Sequence, residues 1–283
     1  MSIKTYVKII NKSVWRDLTS ISRYKGRLVG RFLETGIMLA GFLLIGGVFN
    51  FSVGTITVTG LKETDVFLFM ASGVALNVFS SISTWAPWRR VNEDIYFGTL
   101  ESVFVTPASR HAYLLSASIS EAIINSIFFI PLYVLMLALV GKLTDFRAIL
   151  LTLLTALIAV ISLVAIGIFF AMLGMVFRQT GAIINVLHEL IQFLCGAYLP
   201  VQSFVNINTI GGPILKYLAM LFPYTYTFDL MRAFLIGDSF VTLLPIWAEF
   251  IVIIMSTLLY LILAKVLLKT AEKKAKRTGL SIL

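Results

Sequence analysis

Charge is what this 283-residue sequence has least of: 23 basic and 14 acidic residues make 13% of the chain, against 59% hydrophobic residues and a mean hydropathy of +0.95. A soluble domain carries about 25% charged residues, and so few could not cover the surface of a chain this size. Cysteine is reduced to Cys195 and histidine to His111 and His188, which excludes a disulfide framework and a Cys/His metal cluster. No G-x-x-x-x-G-K-[ST] string occurs, so the chain lacks the phosphate cradle of P-loop ATP hydrolysis. The net charge of +9 does not point to nucleic acid, because the basic residues fringe apolar runs and form no continuous patch. The composition demands an all-α polytopic membrane protein, and no linker or repeat divides 1–283.

Six stretches approach the roughly 20 apolar residues of a crossing helix: 32–51, 66–85, 112–140, 148–177, 182–199 and 243–268. The first is read as a span and not as a cleaved signal, since a basic segment precedes it and no A-x-A-like site follows. With the N-terminus inside, 18 basic residues fall on the inner side and 5 on the outer (Lys62, Lys142, Arg147, Lys216 and Arg232). The positive-inside rule then gives six transmembrane helices with both termini cytoplasmic, in a cell membrane.

Before the first span, Ile3, Tyr6, Val7, Ile10, Val14, Leu18 and Ile21 recur at spacings of mostly three and four, with Lys4, Lys8, Lys12 and Arg16 opposite. That pattern predicts an amphipathic helix over 1–27, lying along the inner membrane surface or touching a cytoplasmic partner. The inner loop over 88–111 carries both charge signs beside Tyr96, Phe97 and Phe104, a mixture that suits docking into a protein groove. Gly98 interrupts it, and Thr106-Pro107 ends its second short helical turn.

Two spans carry polar stripes. Asn77, Ser80 and Thr84 follow Gly73 at helical spacing, and Asn185, His188, Glu189 and Gln192 lie within two turns. Ionisable groups at mid-bilayer cost about 2.5–3.5 kcal/mol each, so these side chains should face a cavity or another helix. Two readings stay open: the stripes glue helices together, or they line a translocation path. Glu121 and Asn125 share a face of the third span. Over 200–242 the chain is too apolar for an ordinary loop, and two half-length helices separated by Pro223 suggest a re-entrant hairpin on the outer side. There Asp229 and Arg232, at i and i+3, are expected to pair.

Gly98-Thr99-Leu100-Glu101 followed by Thr106-Pro107-Ala108-Ser109-Arg110, and Phe222-Pro223-Tyr224-Thr225 through Asp229 to Arg232, resemble the signatures of the permease subunits of type-2 ABC exporters. The resemblance, which extends to the arrangement of the whole chain, implies several things. The N-terminal amphipathic helix is a connecting helix, and the inner loop is a coupling helix that fits a separate ATP-binding cassette ATPase. Gly98, Thr99, Leu100, Glu101, Thr106, Pro107 and Arg110 would make that coupling. ATP and magnesium would sit on the partner, with no cofactor in this chain. Two permease subunits would assemble, as a homodimer or heterodimer, and Asn77, Ser80, Thr84, Asn185, Glu189 and Gln192 would line the central cavity. The outer hairpin would cap the pathway. The cargo would be a lipophilic drug-like molecule or lipid, or alternatively a lipid-linked polysaccharide. An ATP-independent secondary transporter or channel is the reading from another class; it would need an internal repeat or broken mid-membrane helices. No repeat is found between the halves.

Overall fold

A computed structural model of the chain describes residues 3–23, 25–48, 59–62, 65–99, 102, 106, 109–176, 181–206, 210–237 and 240–278. The regular elements among them are all helical. Helix α1 (Ile3–Arg23) is the amphipathic segment, and α2 (Lys25–Val48) follows it directly. The second apolar stretch forms three helices in succession: α3 (Val66–Asn77), α4 (Ser81–Thr84) and α5 (Ala86–Tyr96). Then come two 31-residue helices, α6 (Arg110–Val140) and α7 (Phe146–Val176), and the shorter α8 (Gly181–Leu194). A 3-10 turn (Val201–Asn206), α9 (Gly211–Met220) and α10 (Pro223–Ile236) lead to α11 (Ile246–Thr278).

Local chemistry sets the ends of these helices. Ser109 caps α6 by accepting from Ala112 N at 3.4 Å, and Gly141, at φ +71°, ends it in the left-handed region that glycine enters without a steric penalty. Asp145 accepts from Ala148 N at 3.1 Å at the start of α7, where the helix leaves amide groups unpaired. Pro223 opens α10, where its missing N–H costs nothing. Between α3 and α4 the backbone tightens to three-residue bonds (Phe79 N to Leu76 O and Ser80 N to Asn77 O, both 2.9 Å), and the Ser83 hydroxyl donates to Ser80 O at 2.7 Å. Asn and Ser side chains that compete for backbone groups favour such a break. It falls in the middle of the polar stripe.

The pillar of the bundle is α7, which packs against α4, α5, α6, α10 and α11. Close approach needs a missing side chain: a Cβ on Gly167 would stand 2.4 Å from the Ile82 carbonyl oxygen. Tyr133 and Thr152 hydroxyls, 2.6 Å apart, tie α6 to α7. Of the stretches long enough to cross, Val66–Asp94 is the most enclosed, with 78% of its most apolar window buried, whereas in Ile246–Leu267 of α11 only 17% of that window is buried. Cys195 packs in the main hydrophobic core.

Among the described residues, four helical stretches are long and apolar enough to cross a membrane: Val66–Asp94, His111–Ala138, Phe146–Met172 and Ile246–Leu267. These correspond to the second, third, fourth and sixth expected spans. The first lies in α2, whose described part ends at Val48, and the fifth in α8, which at 14 residues is shorter than a crossing requires. The chain is a multi-pass membrane protein, with six crossings still an expectation of the sequence. Over 200–242 the two half-length helices meet at Pro223, α9 packing on the 3-10 turn and α10 buried against α3, α7 and α11.

Candidate functional site

A cavity of 640 Å³ lies between α2, the α3–α4 break, α6 and α8. The break contributes Asn77, Ser80 and Ser81, and α8 contributes His188, Glu189 and Gln192. Arg31 and Glu34 come from α2, Asn125 and Phe128 from α6, and Trp85 and Arg89 complete the wall. A hydrogen-bonded chain runs along one side. Asn77 Nδ2 donates to the Tyr198 hydroxyl at 3.3 Å, and Tyr198 donates to Gln192 Oε1 at 2.7 Å. Gln192 Nε2 then reaches His188 Nε2 at 2.8 Å and Ser80 Oγ at 3.4 Å. An amide nitrogen can only donate, so His188 Nε2 accepts, and its proton sits on Nδ1 facing Thr84 Oγ1 at 2.8 Å.

Four of the six residues expected on a translocation path line this cavity: Asn77, Ser80, Glu189 and Gln192. Thr84 stands behind it, buried and bonded to His188, and Asn185 is exposed on α8 outside the lining. Glu121 and Asn125 share a face as expected, and both meet Arg31: the guanidinium pairs with the Glu121 carboxylate and donates to Asn125 Oδ1 at 3.0 Å. Ser81 joins them, donating to Glu121 at 3.1 Å and accepting from Asn125 at 2.9 Å.

A second cavity, of 360 Å³, is lined by α1, α5 and α6. On its wall Arg90 pairs with Asp17, which also accepts from the Ser120 hydroxyl at 2.7 Å. Tyr113 donates to the Asp94 carboxylate and lies 3.1 Å from the Arg90 carbonyl oxygen. Asp94 in turn holds the loop: Thr99 N reaches Asp94 O, and Thr99 Oγ1 reaches Asp94 Oδ1, each at 2.9 Å. Gly98, at φ +66°, makes that turn possible. Just before it Tyr96 and Phe97 are exposed, their rings edge to face at 5.3 Å. Thr106 is exposed; Leu100, Glu101 and Pro107 lie outside the described residues, as does the side chain of Arg110, the first residue of α6.

Sequence reasoning missed the Asp17–Arg90 pair. The signal was present, because Asp17 is the only acid among the first 33 residues, set in an otherwise basic helix. The expected pair in the outer segment is corrected. Arg232 donates instead to Gly196 O (2.7 Å), Ala197 O (3.1 Å), Ser72 Oγ (3.2 Å) and Phe69 O (3.4 Å), with its guanidinium 3.5 Å over the Phe69 ring. Asp229 accepts from Leu243 N at 2.6 Å and Gln202 Nε2 at 2.9 Å. A buried guanidinium has five N–H groups to satisfy, and several carbonyls do so better than one carboxylate. Burial nonetheless raises the Asp229 carboxyl above the usual carboxylate range.

Apolar helices surround a polar cavity and are joined at one end to a basic amphipathic helix by the Asp17–Arg90 pair, an arrangement suited to the membrane component of a transporter. Residues 10–236 match the family model of the ABC-2 type transporter, and the chain belongs to that family. Members of this family act as permeases and are not themselves the catalytic part of the transporter. No individually curated protein matches the chain.

Proposed function

We propose that this chain is the permease subunit of an ATP-driven exporter that moves a lipophilic drug-like molecule or a lipid out of the cell, powered by a separate ATP-binding cassette ATPase. The family match supports the permease, and the inner loop carries the coupling. The Tyr96–Phe97 pair protrudes beside a turn anchored on Asp94, and Arg90, on the same helix, grips Asp17 of α1. A push on this loop would therefore move α1, α5 and the start of α6 together, because the Asp17–Arg90 ion pair and the Ser120–Asp17 and Tyr113–Asp94 hydrogen bonds join all three. Gly98, Thr99, Leu100, Glu101, Thr106, Pro107 and Arg110 form the proposed contact with the ATPase.

The cavity is the proposed cargo site, lined by Asn77, Ser80, Glu189 and Gln192, with Thr84 supporting His188 from behind. Its 640 Å³ falls in the range of small-molecule sites, which favours a single amphiphile over a polysaccharide chain. Beside it Phe32, Leu33 and Ile37 of α2, and Val186, Leu190 and Phe193 of α8, leave apolar surface uncovered. A second permease subunit is proposed to cover that surface, with both termini of each chain in the cytoplasm. The test is affinity purification of the tagged chain from its own membranes. A stoichiometric protein with a Walker A motif supports the reading, and a chain that transports in vesicles without ATP rejects it.

A further inference from the structure

We propose that the cavity selects amphiphiles whose head group is a protonated amine; this rests on the reading of the cavity as the cargo site. The argument is a census of donors and acceptors. Most donors around the cavity are committed within the protein: Arg31 to Glu121 and Asn125, Tyr198 to Gln192, Gln192 to His188 and Ser80, and Ser81 to Glu121. Both His188 ring nitrogens are occupied, Nδ1 by Thr84 Oγ1 and Nε2 by Gln192 Nε2. Acceptors are left over. Glu34 and Glu189 line the cavity with no hydrogen-bond or ion-pair partner among the described residues, and both lie near enough to His188 for their charge to act on it. Asn77, 5% exposed and lining the same cavity, has its Oδ1 buried without a donor, so a ligand N–H reaches it once the amide turns toward the cavity. A buried acceptor without a donor costs free energy that a ligand N–H would recover. The one cation on the wall with no partner among the described residues is Arg89, which it shares with the second cavity, toward α1.

An ammonium head therefore finds two carboxylates and, once Asn77 turns, an amide oxygen, while Trp85 and Phe128 line the same cavity beside its tail. For an anionic head the one uncommitted cation among the described lining residues is Arg89. A quaternary head keeps the charge but has no N–H for Asn77.

Equilibrium dialysis of the full chain in phosphatidylcholine nanodiscs tests this with three radiolabelled probes, dodecylamine, dodecyltrimethylammonium and dodecanoate, after subtraction of empty discs. Dodecylamine is expected to bind about tenfold more tightly than dodecanoate, and Glu34→Gln and Glu189→Gln are each expected to weaken it about fivefold. Asn77→Leu should abolish the preference for dodecylamine over its trimethyl counterpart. Equal binding of amine and carboxylate overturns the inference. So does unchanged amine binding in both Gln variants, including the case where they loosen subunit association, which would assign the carboxylates to the subunit interface. Both Gln changes are isosteric and lie on exposed side chains, so folding does not confound them. Amine selectivity without a co-purifying ATPase overturns the exporter reading and supports the site; co-purification without amine selectivity does the reverse.

Discussion

Asp17→Ala is the most informative perturbation of the coupling region. Asp17 accepts from Arg90 and from Ser120, and the paired side chains are only 16% and 10% exposed. Removing the carboxylate leaves the Arg90 guanidinium enclosed without a counter-charge, with its Nη1 already lacking a hydrogen-bond partner. Breaking one side of a buried pair costs 3–5 kcal/mol, and the residual exposure places this case near the lower end, about 3 kcal/mol. That corresponds to about a hundredfold shift toward the undocked form of α1. Limited trypsin digestion reads it directly, since α1 presents Lys8, Lys12 and Arg16 on its exposed face; cleavage there should accelerate about a hundredfold if docking controls access. The double change Asp17→Ala with Arg90→Met removes the stranded charge and should recover more than half of the loss. A double variant as labile as the single one would refute the reasoning, because the cost would then come from lost packing and not from an unpaired cation.

Three further outcomes are expected. Gly167→Ala places a Cβ 2.4 Å from the Ile82 carbonyl oxygen and must force α7 from α4; it should lower the thermal midpoint in detergent by the equivalent of about 1–3 kcal/mol, and an unchanged midpoint would contradict the packing. Arg232→Met removes the donor to four acceptors and should destabilise more than Asp229→Asn, which keeps an acceptor for Leu243 N; the ranking of melting temperatures checks it. Tyr96→Ala with Phe97→Ala should weaken ATPase association about tenfold or more, measured by retention on the immobilised permease, with the melting temperature unaffected because both rings are exposed.

The parts of the fold that repeat along the chain were legible in the sequence. Scarce charge and long apolar runs gave the helices, and the spacing of Asn77, Ser80 and Thr84 marked the face that meets α8. The face shared by Glu121 and Asn125 was readable too, but not its partner: Arg31 lies 90 and 94 residues away, and periodicity carries no information across that separation. The break at 78–80 was hidden because serine and asparagine are compatible with a helix until a competing backbone bond forms. Asp229 and Arg232 illustrate the opposite failure. Local spacing suggested a pair, but burial put each beside backbone groups from other segments that satisfied it more completely. Asn185 shows the limit of a helical stripe: it shares the expected spacing with Glu189 and still lies outside the cavity, because α8 offers the cavity only part of its polar face.

The central claim is that a separate ATPase drives cargo through this chain. Inside-out vesicles carrying the permease with its co-purified ATPase, given labelled dodecylamine at fixed external concentration, test it most directly. Uptake is expected to require ATP, to stop when the Walker A lysine of the partner is replaced, and to fall with Tyr96→Ala and Phe97→Ala in the permease. Uptake that persists without ATP and follows an imposed ion gradient would contradict the account.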